Sequence, residues 1–193
     1  MALPNAPYTD VSSGLDYFKS HFISKNGLSR PTRYSVLIEA DAFTPGHAIF
    51  QPETVSLPGR TFRTLQENWF GPTRKIPVAR EFNSEVIMTF PLSRNWEERT
   101  LFEAWMDSLI NPETNETHYS DNGQTVKGNM TVFCIDEINE TQAIFKFDEV
   151  WPSSIIPMNM GFNMINDYNK LQIIFTYRQY TYKSENYQTP TFK

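Results

Sequence analysis

The stretch "VIMTFPLSRNWEERTLFEAWMDSLINPETN", residues 86–115, joins the two hydrophobic patterns that decide the fold. In its first part, Val86, Met88 and Phe90 alternate with other residues. Because successive side chains of a strand point to opposite faces, this alternation predicts a β-strand with one buried face. Pro91 has no backbone N–H, so the strand is predicted to end there or to lie at the edge of a sheet.

The second part of the stretch predicts a helix over residues 96–110. Its large apolar residues recur at helical spacing and are Leu101, Phe102, Trp105, Met106 and Leu109. Asn95 is a favourable N-cap residue, and Glu98 stands three positions later, as in a capping box. Asn111 and Pro112 end the pattern, because proline does not continue a helix.

On both sides of this stretch, the chain reads mainly as strands. Alternating apolar residues predict strands in residues 32–40, 129–136, 143–150 and 170–182. The middle two form a predicted hairpin, and "WPSSIIP" after them predicts a corner. The last strand has one apolar face that consists of Leu171, Ile173, Phe175 and Tyr177.

The whole pattern predicts a mainly β protein with one flanking α-helix, arranged as an antiparallel sandwich or barrel. We expect one domain over residues 1–193, with a second, short amphipathic helix at 14–25. Residues 1–13 and 183–193 are expected to form a loose N-terminal arm and a C-terminal tail.

Composition and charge exclude several classes of function. The net charge is −5, which argues against a protein that holds nucleic acid through many Lys and Arg contacts. No apolar run approaches the roughly 20 residues of a membrane helix, and the N-terminus does not read as a signal peptide. Cys134 is the single cysteine, so no disulfide framework is expected within one chain, and a reducing, cytosolic compartment fits.

The residues that could carry chemistry do not form a recognisable site. The histidines, His21, His47 and His118, have no metal-ligand spacing with one another or with Cys134, which we expect in the core. Glu97 and Glu98 suit the first turn of a helix, and Asp148 and Glu149 suit solvation at a strand end. No phosphate-binding, nucleophile-elbow or zinc-protease motif occurs, so we expect neither an enzyme nor a cofactor.

The segment "SLPGRTFRTLQENWFGPTRKIP", residues 56–77, predicts an excursion from the main fold. It places four basic residues, three large aromatics and three prolines within 22 positions, and prolines and glycines stand near both ends. We expect residues 58–77 to form a protruding arm. The alternative is an ordinary long hairpin that folds back on its own domain.

Several features in sequence order give the chain its resemblance to a known family. They are "NGLSRPTRYSVLI", "LPGRTF", "FGPTRKIP", the stretch 86–115, "FDEVWPSSI" and "LQIIFTYRQY". Over residues 14–182 this order resembles the tail tube protein of T4-like contractile-tailed bacteriophages, a fold shared with type VI secretion tubes and baseplate tube initiators. The resemblance implies a structural protein of the virion tail, assembled in the host cytoplasm.

The resemblance also implies partners. Six copies would form a ring, and stacked rings would form a tube that conducts DNA from capsid to host without sequence-specific binding. Tail sheath, baseplate and tape-measure proteins would be the other partners. A baseplate tube initiator or a tail terminator of the same fold is the alternative, and a monomeric ligand-binding β-barrel is the alternative from another class.

Within such a tube, particular residues acquire expected roles. Strands 83–90, 129–135 and 171–182 would supply ring joints and the lining, because edge strands pair readily. Aromatic and arginine residues dominate protein interfaces, so the arm is expected to contact a neighbouring subunit or ring through Arg60, Phe62, Arg63, Trp69, Phe70, Arg74 and Lys75. Acids near a hairpin turn are candidates to face the lumen and repel DNA phosphates, or else simply to be solvated, namely Asp136, Glu137 and Glu140.

Overall fold

The computed structural model describes residues 16, 19, 28–40, 42–43, 46–68, 71–117, 127–163 and 167–184, except the side chains of His47 and Phe82. The chain divides into two compact units, residues 1–33 and 34–193. In the first unit Asp16 and Lys19 are helical, and the rest of the predicted helix 14–25 lies outside the described residues. The expected N-terminal arm and all but two residues of the C-terminal tail lie outside them as well.

The described part of the second unit contains one helix and ten strands. The helix α1 spans Glu97–Leu109. The strands are β1 (Tyr34–Glu39), β2 (His47–Phe50), β3 (Thr54–Val55), β4 (Arg60–Glu67), β5 (Arg74–Phe82), β6 (Glu85–Pro91), β7 (Gly128–Ile135), β8 (Thr141–Ile155), β9 (Lys170–Thr176) and β10 (Gln179–Ser184).

Eight of these strands form one antiparallel sheet in the order β2-β1-β7-β8-β9-β6-β3, and β10 also pairs with β8. Strands β4 and β5 form a separate two-stranded sheet. Buried residues alternate along β6 and β9 as predicted, with Val86, Met88 and Phe90 facing Leu171, Ile173 and Phe175 across the strand pair. The predicted fold class, mainly antiparallel β with a flanking helix, is confirmed as an open sandwich.

The sandwich arises because the long strand β8 turns a corner. Its first half pairs with β7 and β10, and its second half pairs with β9. The register across the corner is continuous, with Gln179 opposite Asp148 and Thr176 opposite Trp151. Strands β9 and β10 are therefore one strand path that bends together with β8 and folds the sheet into two layers.

Aromatic rings fill the space between the two layers. The rings of Phe50 on β2 and Phe90 on β6 approach to 5.6 Å between centroids, which joins the layers. The ring of Phe102 on α1 lies 5.1 Å from that of Phe90 and 5.7 Å from that of Phe175. Phe102 and Trp105 are the buried residues of α1, so the helix covers the open side of the sandwich. Each such buried aromatic side chain contributes about 1.5–3 kcal/mol to the stability of the fold, because its apolar surface is removed from water.

The start of α1 differs from the prediction. Asn95 is not the N-cap; Trp96 occupies that position with a left-handed φ of 59°. Ser93 performs the capping instead, since its hydroxyl accepts a hydrogen bond from the Glu97 N–H at 3.3 Å and its own N–H donates to Glu98 at 2.9 Å. Burial raises the pKa of Glu98, but hydrogen bonds from Ser93 and from the backbone of Glu98 itself outweigh it and leave that pKa below its ordinary value.

Two predictions about the later strands are also wrong. Residues 151–155 of "WPSSIIP" continue β8 instead of forming a corner, and Pro152 is accommodated by an irregularity in the pairing with β9. The true corner lies earlier, at Glu149, which has a φ of 53°. The single strand predicted over 170–182 is interrupted at Tyr177 and Arg178.

Candidate assembly surfaces

The segment 60–82 forms a two-stranded hairpin, β4 and β5, which we call the arm. Every arm residue with a described side chain is exposed except Glu67, which is half-buried. Four of its apolar side chains are largely open to solvent: Phe62 (52%), Leu65 (62%), Ile76 (43%) and Val78 (63%). A hairpin folded back on its own domain would bury one face, and this one buries neither.

The register of the arm places apolar and basic residues together on each face. Phe62 lies opposite Arg80 on one face, and Leu65 lies opposite Ile76 on the other. Lys75, opposite Gln66, shares the face of Phe62 because Gln66 follows Phe62 by four residues along the strand. Arg74, opposite Glu67, shares the face of Leu65 because Glu67 follows Leu65 by two residues. Both faces of the arm therefore combine groups that anchor an interface with groups that attract acidic surface.

The base of the arm is attached to the corner of the main sheet by two tyrosines. The hydroxyl of Tyr177 donates to the carbonyl of Asn83, and the hydroxyl of Tyr180 donates to that of Gly59 at 3.4 Å. The guanidinium of Arg60 lies 5.7 Å from the centroid of the Tyr180 ring. Burial, together with the charge of the neighbouring Tyr180, raises the pKa of Tyr177 to about 12.

The corner itself is held by an ionic cluster around Glu149. Lys127 Nζ lies 2.9 Å from one carboxylate oxygen, and Arg178 binds the other. Hydrogen bonds from Lys127 and then Arg178 hold the pKa of the Glu149 carboxyl below its ordinary value. Lys127 also lies 5.2 Å from the centroid of the Trp151 ring. Glu149 was expected only to be solvated at a strand end; instead it joins three segments of chain at the bend.

The predicted lumen candidates Asp136, Glu137 and Glu140 lie in the turn between β7 and β8. Asp136 N–H donates to the Glu140 carbonyl at 2.9 Å, and Asn139 adopts a left-handed φ of 65°, so the turn is tight. Ile138 at its tip is 68% exposed. The turn therefore presents one apolar side chain among three acids.

The main sheet has open edges. Strand β2 ends the sheet path beyond β1, the short strand β3 ends it beyond β6, and β10 pairs only with β8. Within the described residues no strand covers the outer side of any of these three. Ile49 on β2 is 72% exposed. Uncovered edge strands present unpaired N–H and C=O groups, which are a template for pairing with another chain.

The structure brings only part of the predicted interface together. Arg60, Phe62, Arg63, Arg74 and Lys75 lie in the arm, whereas Trp69 and Phe70 fall outside the described residues. Sequence reasoning missed Leu65, Ile76, Val78 and Arg80; the alternation in "RTFRTLQE" and "RKIPVAREF" was the available signal.

No arrangement of catalytic or metal-binding groups is found in the described part of the chain. No three of its His, Cys, Asp and Glu residues are placed to hold a metal ion. Cys134 is half-buried, not in the core as expected, and burial raises the pKa of its thiol. No helix among the described residues is long and apolar enough to cross a membrane.

A surface cavity of about 410 Å³ lies beside the loop that follows β8, and Asn159, Asp167 and Lys170 are among its lining residues. This cavity is half polar and lies at the surface, whereas a ligand-binding barrel would need an enclosed apolar pocket. The aromatic rings between the layers occupy the place where such a pocket would form.

Comparison with known proteins gives one matching family and several solved structures of the same fold. The family model for phage tail tube proteins matches residues 49–183. No curated protein matches the sequence.

Several solved structures share the fold. A chain of the anti-feeding prophage baseplate has a TM-score of 0.64 and 10% identity, with 83% of this chain and 98% of that chain covered. A chain of the sheath–tube complex of an extracellular contractile injection system (PVC) has a TM-score of 0.60 and 13% identity, with 91% and 99% covered. The SPP1 tail tube has a TM-score of 0.51 and 13% identity, with 82% and 80% covered.

Proposed function

This chain belongs to the phage tail tube protein family, and we propose that its copies form hexameric rings that stack into a tail tube. The family is one of structural proteins, which confirms the expectation that the chain is not an enzyme. The observation that carries the proposal is the combination of the open sheet edges at β2 and β10 with an arm that is exposed on both faces. Such features are liabilities in a monomer and become joints in an oligomer.

Ring closure would use the open edges of the main sheet. Strand β10 of one copy would lie against β2 of the next, so that the sheets of six copies join around a central hole. A contact between two different edges is heterologous, and it closes into a ring when the rotation between copies fits. The baseplate structure that shares this fold is six-fold symmetrised, which supports six copies.

Conduction of DNA through the ring is consistent with the charge of the chain. Each copy carries a net charge of −5, so six copies carry six times −5, or −30. Negative charge around a channel repels phosphate, and weak adhesion lets DNA slide. Asp136, Glu137 and Glu140 stay predicted lumen candidates.

The expected surroundings of the tube follow from the same proposal. Tail sheath would enclose it, because a chain of like fold occurs in a sheath–tube complex. Baseplate and tape-measure proteins would meet its end and interior, and assembly would take place in the host cytoplasm before the tube becomes part of the virion tail. We propose residues 1–193 as one tail tube subunit.

A baseplate initiator or a tube terminator of the same fold is the second candidate. A specific observation favours it, since a baseplate chain has a TM-score of 0.64 and a chain of a tube-terminating cap has a TM-score of 0.58. Such a protein would form one ring per virion, whereas a tube protein is present in many rings. Gel densitometry of whole virions against a protein of known copy number separates the two.

Negative-stain imaging of the purified protein tests the proposal. We expect rings with a central hole and tubes built from them. Ile49→Lys places a charge on the exposed edge strand and should prevent ring formation. Ile110→Lys is the matched control, because Ile110 is also exposed, at 50%, but lies outside the sheet edges. A protein that stays monomeric at high concentration and in the presence of preformed tube ends would refute the proposal.

A further inference from the structure

The two ends of the main sheet differ in what they carry. At one end, the corner end, Gly128 lies opposite Val150, and Gln179 lies opposite Asp148. The arm is rooted at this end, because Tyr177 and Tyr180 hold its base. At the other end, β7 and β8 are joined by residues 136–140, the turn "DEINE". The arm base and this turn therefore lie about one strand length apart, roughly 25 Å for eight residues.

The chemistry of the arm is basic and apolar. Residues 60–82 contain five basic residues against two acidic ones, a net charge of +3 in a chain of net charge −5. Arg74 lies 3.6 Å from Glu67, while within the described residues Arg63, Lys75 and Arg80 have no ion-pair partner. The exposed apolar side chains of the arm lie among these charges.

The chemistry of the turn at the opposite end is complementary. Its five residues include three acids and no base, a net charge of −3. Ile138 is 68% exposed between them. Helix α1 also carries acids, but it packs at the corner end of the sheet, where the arm base lies, because Trp105 Cζ2 lies 2.9 Å from the point where a Cβ on Gly128 would stand. One of these acids, Glu103, already pairs with Arg99 at 3.2 Å.

We propose that the arm of one copy docks on the β7–β8 turn of a copy in the adjacent ring. The inference rests on the proposed function, and it names the surface that receives the arm. Arginine and lysine side chains would meet Asp136, Glu137 and Glu140, and the apolar side chains of the arm would cover Ile138. Because the base of the arm and the receiving turn lie at opposite ends of the main sheet, the contact is heterologous and repeats along an axis without closing. On this proposal the acids of the turn serve the contact between rings and not the lumen, for which they were predicted.

The test is a charge swap between the two ends. Arg63→Glu/Lys75→Glu reverses one charge on each face of the arm, and Glu137→Lys/Glu140→Lys reverses two charges of the turn. Each pair alone should raise the protein concentration needed for tube formation by about tenfold or more, since like charges at an interface oppose association. The chain with all four substitutions should return to within about threefold of the original, because attraction is restored with opposite sign.

A matched control uses acids elsewhere on the surface. Glu113→Lys/Glu116→Lys makes the same change of charge on two exposed residues after α1. Combined with the arm substitutions, this pair should not restore tubes. Urea unfolding of each variant at low protein concentration confirms that the monomer is folded.

The outcomes separate this inference from the proposed function. Single rings without tubes in both charge-reversed variants, with tubes restored in the combined chain, would support it. Failure of the combined chain to restore tubes would overturn it while the rings keep the proposed function intact. Tubes that form normally with Glu137→Lys/Glu140→Lys but retain DNA would assign the turn to the lumen. The absence of rings in the unsubstituted protein would refute the proposed function and this inference with it.

Discussion

Gly128→Ala tests whether the helix packs on the sheet as the structure shows. A Cβ at position 128 would stand 2.5 Å from the carbonyl oxygen of Glu39, 2.9 Å from Trp105 Cζ2 and 3.2 Å from the Cβ of Ala40. The first of these atoms is backbone in the neighbouring strand β1 and does not move aside without disturbing the pairing. Strand β1 and helix α1 meet at this residue, so added volume separates them.

The expected cost combines two opposing effects. Overpacking in a dense interior costs about 1–3 kcal/mol, and a backbone contact this short belongs at the upper end. Alanine restricts the unfolded chain more than glycine, which offsets about 0.4–1 kcal/mol. We expect the free energy of unfolding to fall by about 2 kcal/mol and Tm to fall by roughly 4–8 °C in a chain of this size.

The assay is urea unfolding of dilute, unassembled protein, followed by tryptophan fluorescence. Gly59→Ala is the matched control, because no atom lies within 4 Å of the Cβ it would add. Its free energy of unfolding should stay the same or rise by up to about 1 kcal/mol, because the restriction of the unfolded chain is not offset by a close contact. Adding Trp105→Phe to Gly128→Ala should show favourable coupling by removing one close contact, but the contact with Glu39 would remain. If Gly128→Ala and Gly59→Ala unfold at the same urea concentration, the packing argument is refuted.

Three further predictions concern the core and the corner. Phe102→Ala should lower the free energy of unfolding by about 3–5 kcal/mol, because it empties the centre of the aromatic cluster, whereas Phe62→Ala on the exposed arm should change it by less than about 0.5 kcal/mol; equal effects in urea unfolding would contradict the burial pattern. The pKa of Tyr177 is raised from 10.0 to about 12, so its neutral form is favoured in the folded state and stability should be lost as pH rises through this interval; Tyr177→Phe should weaken that loss, measured as Tm against pH. The pKa of Glu149 is lowered from 4.5, so its contribution is present above that pH and is lost as pH falls below it; Glu149→Gln should flatten the acid side of the Tm profile, and an unchanged profile would show that the ionic cluster does not stabilise the corner.

Local patterns were sufficient to predict much of the secondary structure. The alternation of Val86, Met88 and Phe90 and the helical spacing around Trp105 both depend on neighbours within a few residues. One buried face per strand follows from the period of two, and one buried stripe per helix follows from the period of 3.6. These patterns predicted the core face of β6 and β9 and the existence of α1 correctly.

The capping error shows where local reasoning failed. Asn95 and Glu98 fit a capping box by spacing, but the left-handed backbone at Trp96 moves the cap back to Ser93. A φ of 59° at a tryptophan is not signalled by residue type. The direction in which the chain must enter the packed helix decides this backbone conformation at Trp96.

The sequence by itself determined the mainly β class, the flanking helix α1 and an exposed basic and apolar segment, since each depends on residue type and short spacing. Only the tertiary structure decided where β8 bends, because the bend lies where Glu149 meets Lys127 and Arg178, which come from distant parts of the chain. The same holds for the open edges at β2 and β10 and for the placement of the arm base and the β7–β8 turn. Strand order and register are settled by pairing between segments far apart in sequence, and that pairing places the arm base and the acidic turn at opposite ends of the main sheet.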